Sequence, residues 1–289
     1  MFYKYILLIR PHHWIKNLLI FFPILLSPLE LLSPFEFGNV YIINSIYMFI
    51  CFCLVASGIY VFNDIKDAKK DLINTRTKNR PFAQGIISKN IGYILCVFLI
   101  VLSCLVAIIF IPKAIYCLLL YVLINILYTF YLKYIVILDI ISVSSGFLIR
   151  IIAGGIVVEI NQSPCPLLII SFASLAFATG KRLGQFVQNP NYLSAKWNNT
   201  LLKFVFILSI ICTIIVYGLF SLDPVVISNH GSDKIWLSFP LIILIFLRYL
   251  YIAWYGTYLG DPTDALLKDR YLQVMVLIWT LVIFYIFII

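Results

Sequence analysis

The stretch NDIKDAKKDLINTRTKNRPFAQG at residues 63–85 gathers chemistry-bearing side chains between two long apolar runs. It carries Asn63, Asp64, Asp67 and Asp71, then Arg76, Lys78, Arg80 and Pro81. Carboxylates beside a membrane-length apolar run are costly, and function is the default reason to keep them. Asn63, Asp67 and Asp71 are four residues apart. On a helix each such step advances about 40° past a full turn, so the spacing predicts three oxygen-bearing groups on one face. That set suits Mg²⁺, a hard cation that takes a few carboxylates and completes its shell with water and phosphate oxygens. Asn63, Asp64, Asp67 and Asp71 are the expected metal ligands. Arg76, Lys78 and Arg80 are expected near them, where they would neutralise phosphate charge that the metal leaves over. The alternative, a solvated loop of mixed charges, does not account for acids kept in helical register straight after an apolar run. Arg80-Pro81 is expected to end the helix, and Gly85 to permit a turn.

Four other segments carry polar residues that could do chemistry. Arg10-Pro11-His12-His13-Trp14-Ile15-Lys16-Asn17 starts at Pro11, since proline disfavours helix at the residue before it. It reads either as an interfacial anchor or as a contact to an anionic substrate. His12 and His13 are adjacent and would point about 100° apart on a helix, so they are not expected to chelate a metal. Tyr128 and Lys133 end one apolar run, and Asp139, Ser142, Gly146 and Arg150 then share one face of the next. An acid and an arginine in a membrane helix are functional candidates, or an ion pair that holds the bundle together. Lys181-Arg182 closes a short apolar run. The last segment runs from Arg248 to Arg270. Gly260-Asp261-Pro262 reads there as a turn, Thr263 or Asp264 as the cap of a short helix, and Asp269 as an open case. The sequence holds no nucleophilic triad, P-loop or dinucleotide-binding glycine pattern.

The elements that must position these residues are membrane helices. Of 289 residues, 63% are hydrophobic and only 11% charged, against about 25% charged in a soluble domain. Nine apolar runs approach membrane-spanning length: 18–37, 40–62, 91–111, 114–131, 135–157, 165–180, 203–222, 236–255 and 271–289. Pro23, Pro28 and Pro34 are expected to break the first. With nine spans, 17 of the 21 Lys and Arg residues fall on one side, which the positive-inside rule makes cytoplasmic together with the N-terminus. The expectation is a single all-α polytopic domain over 1–289, multi-pass in the plasma (inner) membrane, with its polar loops in the cytoplasm. The net charge of +9 is read as topology and attraction to anionic lipid; it is spread along a membrane face, so nucleic acid is not an expected partner. The seven cysteines lie nearly all in apolar runs and read as small hydrophobes. Nothing at the N-terminus reads as a cleaved signal.

Asn63-Asp64-x-x-Asp67-x-x-x-Asp71 followed by Arg80-Pro81 resembles the first signature of the UbiA superfamily of intramembrane prenyltransferases. Arg10-Pro11-x-x-Trp14-x-Lys16-Asn17, Lys133…Asp139…Gly146-Phe147-x-x-Arg150…Gly154, Lys181-Arg182, and Arg248-Tyr249 with Gly260-Asp261-Pro262…Asp269-Arg270 resemble its decaprenyl-phosphate phosphoribosyltransferase branch. His13 departs from the pattern, standing where glutamine is expected. The resemblance covers nearly the whole chain. It implies nine helices around a central cavity, Mg²⁺ as cofactor, and 5-phosphoribosyl 1-diphosphate (PRPP) as donor. It implies a polyprenyl monophosphate as acceptor and a role in building cell-wall polymers. Asp67, Asp71 and Asp139 become the expected catalytic residues, with Arg150 as the expected partner of Asp139. Lys16, Arg76, Arg80, Tyr128, Lys133, Arg150, Lys181 and Arg182 become the expected substrate-binding residues. The second reading is transfer of a prenyl group from its diphosphate to an aromatic acceptor, which usually uses a second D-x-x-x-D-like motif. Here only Asp139 stands in the corresponding region, and the cations outnumber what one diphosphate requires. A transporter or a non-catalytic membrane partner is the reading from other classes, and a homo-oligomer is left open.

Overall fold

The computed structural model describes residues 2–25, 40–73, 77–159, 164–188, 198–230 and 232–288. Every regular element among them is helical. Apart from four short 3₁₀ turns, in chain order these are α1 (Phe2–Ile9), a 3₁₀ segment (Pro11–Phe21), α2 (Phe22–Leu25), α3 (Val40–Ile73), α4 (Lys89–Phe110) and α5 (Ile115–Phe130). They continue with α6 (Val136–Val158), α7 (Pro164–Gln188), α8 (Asn199–Ser221), α9 (Pro224–His230), α10 (Phe239–Trp254), α11 (Pro262–Lys268) and α12 (Arg270–Ile288). Among the described residues seven helices are long and apolar enough to cross a bilayer, and α11–α12, bent by 91°, counts as an eighth if the pair is one span. Eight of the nine expected runs thus coincide with α3–α8, α10 and α12. The first run enters the 3₁₀ segment and then passes outside the described residues.

The chain divides into two compact units. The first holds α1, the 3₁₀ segment, α3–α5 and the later part of α6. Its longest helix, α3, has 34 residues and is about 51 Å long. That is far more than the ~30 Å hydrocarbon core, so its last turns stay helical beyond the apolar layer and carry the acids there. α3 stops at Ile73, earlier than Arg80-Pro81, which instead sits in a turn closed by Gln84 N–H to the Arg80 carbonyl and Ile86 N–H to the Pro81 carbonyl, both 3.0 Å. Gly85 follows with φ +70°, the left-handed backbone expected of it. The loop is pinned by Phe82 and Ile87, buried with Leu8, Val61, Ile65 and Cys96.

The 3₁₀ segment is long for its kind and is held by specific bonds. Arg10, ahead of Pro11, takes a left-handed conformation (φ 48°) rather than the extended one usual before proline. Trp14 Nε1 donates to Ser57 Oγ (3.1 Å), whose hydroxyl donates to the Ile9 carbonyl (2.8 Å). Further along, a Cβ at Gly154 would lie 2.2 Å from the Ile20 carbonyl oxygen, so only glycine lets the segment's backbone seat on α6.

The second unit holds the start of α6 and α7–α12. Ala176, Leu183, Phe206, Ile210, Phe246 and Tyr249 form its core between α7, α8 and α10. The run expected to stop at Gly180 instead continues as helix through Lys181-Arg182 to Gln188. Gly180 is tolerated mid-helix because its missing side chain admits the Tyr249 ring, whose Oη would lie 2.7 Å from a Cβ there. Asp261, not Thr263 or Asp264, caps α11, accepting from Thr263 N–H at 3.0 Å. Residues 63–71 are helix, whereas 261–269 form a cap, a short helix and a bend.

Candidate functional site

The acids of α3 split between two directions. Asn63 accepts from the Thr129 hydroxyl, and Asp67 accepts from Lys133 Nζ at 2.8 Å, so this pair faces the end of α5. Asp64 and Asp71 share Arg80, whose Nη1 lies 3.0 Å from Asp64 Oδ1 and 2.9 Å from Asp71 Oδ2. Arg10 completes the group with a second ion pair to Asp64. Helical arithmetic explains the split. Asp71 is rotated about 80° from Asn63 but only about 20° from Asp64. The expected single face of Asn63, Asp67 and Asp71 is therefore two adjoining stripes, 63/67 and 64/71. Three carboxylates meet three cations here, and Asp64 and Asp71 are buried while Asp67 keeps 34% of its side chain exposed.

Among the described residues no three His, Cys, Asp or Glu side chains converge on one point. A protein-only metal cage is thus not prebuilt. The donor set still fits Mg²⁺, which is commonly held by one or two carboxylates with substrate phosphates supplying the rest. All the donors are oxygens, and each carboxylate is balanced by a cation that a phosphate could take over. Tyr128 lies in the last turn of α5, next to Thr129, and Lys16 is half-buried in the 3₁₀ segment beside Asn17. Lys78 is exposed. Arg76 lies outside the described residues.

Arg150 is not the partner of Asp139. It is buried in the first unit, where its Nε donates to Asn17 Oδ1 at 2.7 Å and its Nη2 to Tyr121 Oη at 3.3 Å. Its guanidinium also lies over the Phe52 and Tyr121 rings, 5.3 and 4.9 Å from their centroids. Eleven residues separate the two along α6, roughly 16 Å, too far for a pair.

Asp139 belongs to the second unit, where both its oxygens meet Arg182. Nε and Nη2 each donate at 2.6 Å, and Nη1 donates to Gln185 at 2.9 Å. The carboxylate is 1% exposed, so this fork is a desolvated pair. Lys181, beside it, reaches the buried Asp261 at 2.7 Å and thereby ties α7 to the cap of α11. Arg248 grips Asp269 through two nitrogens at 3.2 and 2.7 Å, and Asp269 also accepts from Leu272 N–H. These hydrogen bonds, the arginine's first, hold the Asp269 carboxyl below its ordinary value. Asp269 therefore caps α12 and fixes the bend.

The sequence reading missed Arg10 as the direct partner of Asp64, and Thr129 as the partner of Asn63. The second had a signal: Thr129 and Lys133 repeat the four-residue step of Asn63 and Asp67.

Comparison with known proteins supplies the family. The UbiA prenyltransferase family profile matches residues 20–268. The chain belongs to the UbiA prenyltransferase family. Among its relatives is a protein of Mycolicibacterium smegmatis named decaprenyl-phosphate phosphoribosyltransferase, 33% identical over 287 residues, covering 94% of this chain and 88% of the relative. A Mycobacterium tuberculosis protein of the same name is 31% identical over 281 residues, covering 94% and 90%. The resemblance to that branch of the UbiA family is thus borne out. The fold agrees as well. A UbiA homologue from Archaeoglobus fulgidus, solved with GPP and Mg²⁺ bound, superposes with a TM-score of 0.68 at 15% identity, over 99% of this chain and 100% of that one. The protein is a multi-pass membrane transferase of this family.

Proposed function

We propose that this chain transfers 5-phosphoribose from PRPP to a polyprenyl monophosphate in the presence of Mg²⁺, giving polyprenyl-phosphoryl 5-phosphoribose and diphosphate. The observation that carries the reading is the near end-to-end likeness, 33% identity over 94% of the chain, to a relative named for decaprenyl-phosphate phosphoribosyl transfer. The abundance of cations supports it. PRPP brings a diphosphate and a 5-phosphate, and the acceptor brings a third anionic group. Arg10, Arg80 and Lys133 in one unit and Lys181 and Arg182 in the other offer more positive charge than one prenyl diphosphate needs.

Asn63, Asp64, Asp67 and Asp71 are the residues that would hold Mg²⁺, which when bound would offset charge building on the departing diphosphate. Arg80 and Lys133 exchange their carboxylate partners for donor phosphate oxygens. Either Arg10 with Lys16 in the first unit, or Lys181-Arg182 in the second, receives the lipid phosphate. Asp139 holds the Arg182 fork in orientation. Arg150 and Asn17 position the 3₁₀ segment that bears Lys16. A phosphate oxygen of the acceptor attacks the anomeric carbon, and the bond from that carbon to the diphosphate oxygen breaks with its electron pair leaving on diphosphate. The acceptor is already an anion, so no general base is required. The basic ends of the helices lie in the cytoplasm of a cell whose plasma membrane holds the protein.

Calorimetric titration of PRPP into the purified protein tests this reading. Binding that requires Mg²⁺ and is lost in Asp67→Ala is expected; a wild-type protein that ignores PRPP but binds a prenyl diphosphate would return the site to the prenyl-transfer reading that the family name favours.

A further inference from the structure

Lys66 stands apart from the charged network of α3. It is exposed and makes no ion pair among the described residues. Its ammonium instead lies 5.5 Å from the Phe62 ring centroid, 5.9 Å from Tyr93 and 5.1 Å from Phe130. Three elements, α3, α4 and α5, thus each lend a ring to one cation. Phe62 packs against both other rings, 6.4 Å from Tyr93 and 6.0 Å, edge-on, from Phe130. The rings fix the position of the ammonium through their negative faces without neutralising its charge. Held in this way, its remaining N–H donors are available to an anion.

Tyr93 is also the first residue of an apolar groove of about 520 Å³ that runs along α4 past Val97, Phe98, Val101 and Leu105. Val97 and Phe98 are each 59% exposed, so the groove faces the bilayer. From Tyr93 to Leu105 it extends about 18 Å, close to half of the ~30 Å hydrocarbon core, the depth of one leaflet.

We propose that Lys66, its ring cage and the α4 groove form a binding site for one anionic phospholipid of the bilayer, with the phosphodiester at Lys66 and an acyl chain along α4. Charge and length both select this occupant. One caged cation matches the single negative charge of a phosphodiester, whereas a monoester carries nearly two. The groove also ends at one leaflet's depth, which suits an acyl chain and not a long polyprenyl tail. Lys66 makes no ion pair with the carboxylates of α3, and the inference does not rest on the phosphoribosyl-transfer reading.

The test uses the full chain in nanodiscs of phosphatidylcholine with one-tenth phosphatidylglycerol, followed by native mass spectrometry of the lipids that remain bound. Wild type is expected to retain one phosphatidylglycerol in preference to phosphatidylcholine. Lys66→Gln is expected to lower that preference about fivefold, the effect of one lysine near an anionic surface. Val97→Trp is expected to displace the lipid while leaving Lys66 in place, and circular dichroism checks that both variants fold. Equal retention of the two lipids by wild type, or a preference that both variants keep, would reduce the site to ordinary lipid contact and overturn the proposal. Retention of an added polyprenyl phosphate in place of phosphatidylglycerol, lost in Lys66→Gln, would overturn the occupant assigned here.

Discussion

Gly154→Ala is the substitution through which the N-terminal segment can be questioned most sharply. The added Cβ would fall 2.2 Å from the Ile20 carbonyl oxygen and 3.0 Å from its carbon. Ordinary contact begins near 3.4 Å, so the backbone must retreat by more than 1 Å. No flexible side chain can yield in its place, because the atoms met are main chain. Overpacking of this sort costs roughly 1–3 kcal/mol. The retreat also draws on the bonds that seat the segment, Asn17 to Arg150 and Trp14 to Ser57. Arg10, which reaches Asp64, and Lys16 would move with it. A displacement of about 1 Å at a positioning element can lower turnover on the order of 100-fold. The assay pairs a thermal melt in detergent with transfer activity. Gly218→Ala is the control, since the atoms nearest a Cβ there belong to the Phe239 side chain, at 3.2 Å and beyond, and it should stay near wild type. A Gly154→Ala protein with unchanged melting and turnover would refute the docking argument.

Three further substitutions probe the charged clusters. Asp67→Ala is expected to lower transfer more than 100-fold while shifting stability by less than about 1 kcal/mol, because its pair with Lys133 is partly exposed; a melt and a turnover assay separate the two effects. Asp139→Asn removes the carboxylate charge that balances the Arg182 guanidinium, a side chain 19% exposed, and should destabilise by about 3 kcal/mol, whereas Asp139→Asn with Arg182→Gln should recover much of that loss in the same melt. The Asp269 carboxyl is held below the usual 3.8 by Arg248. Its contribution is therefore present above that value and lost as pH falls through the lowered one, so Asp269→Asn should flatten the acid limb of a stability–pH profile.

Much of the fold was legible because apolar runs of spanning length have few other fates. The eight runs from 40–62 to 271–289 each became a helix, and the polar stretch after the second run became the end of α3. What failed depended on geometry that spacing alone does not carry. Four-residue steps suggested one acid face, but the accumulated rotation brings Asp71 round to Asp64, and Arg80 then joins them from the turn that follows α3. Asp139 and Arg150 share a helix face in register, yet partners on other elements, Arg182 and Asn17, claim them separately. Gly180 looked like a stop beside two cations. It is instead a notch for Tyr249, and the helix runs on because Lys181 and Arg182 find buried acids.

The central claim is that ribose phosphate, and not a prenyl group, moves. Purified protein should be given Mg²⁺, PRPP labelled in the ribose and a polyprenyl monophosphate. Label entering the lipid phase, dependent on the lipid phosphate and abolished by EDTA, is the predicted result. Label that stays in the aqueous phase, while a prenyl diphosphate is consumed with an aromatic acid, would contradict it.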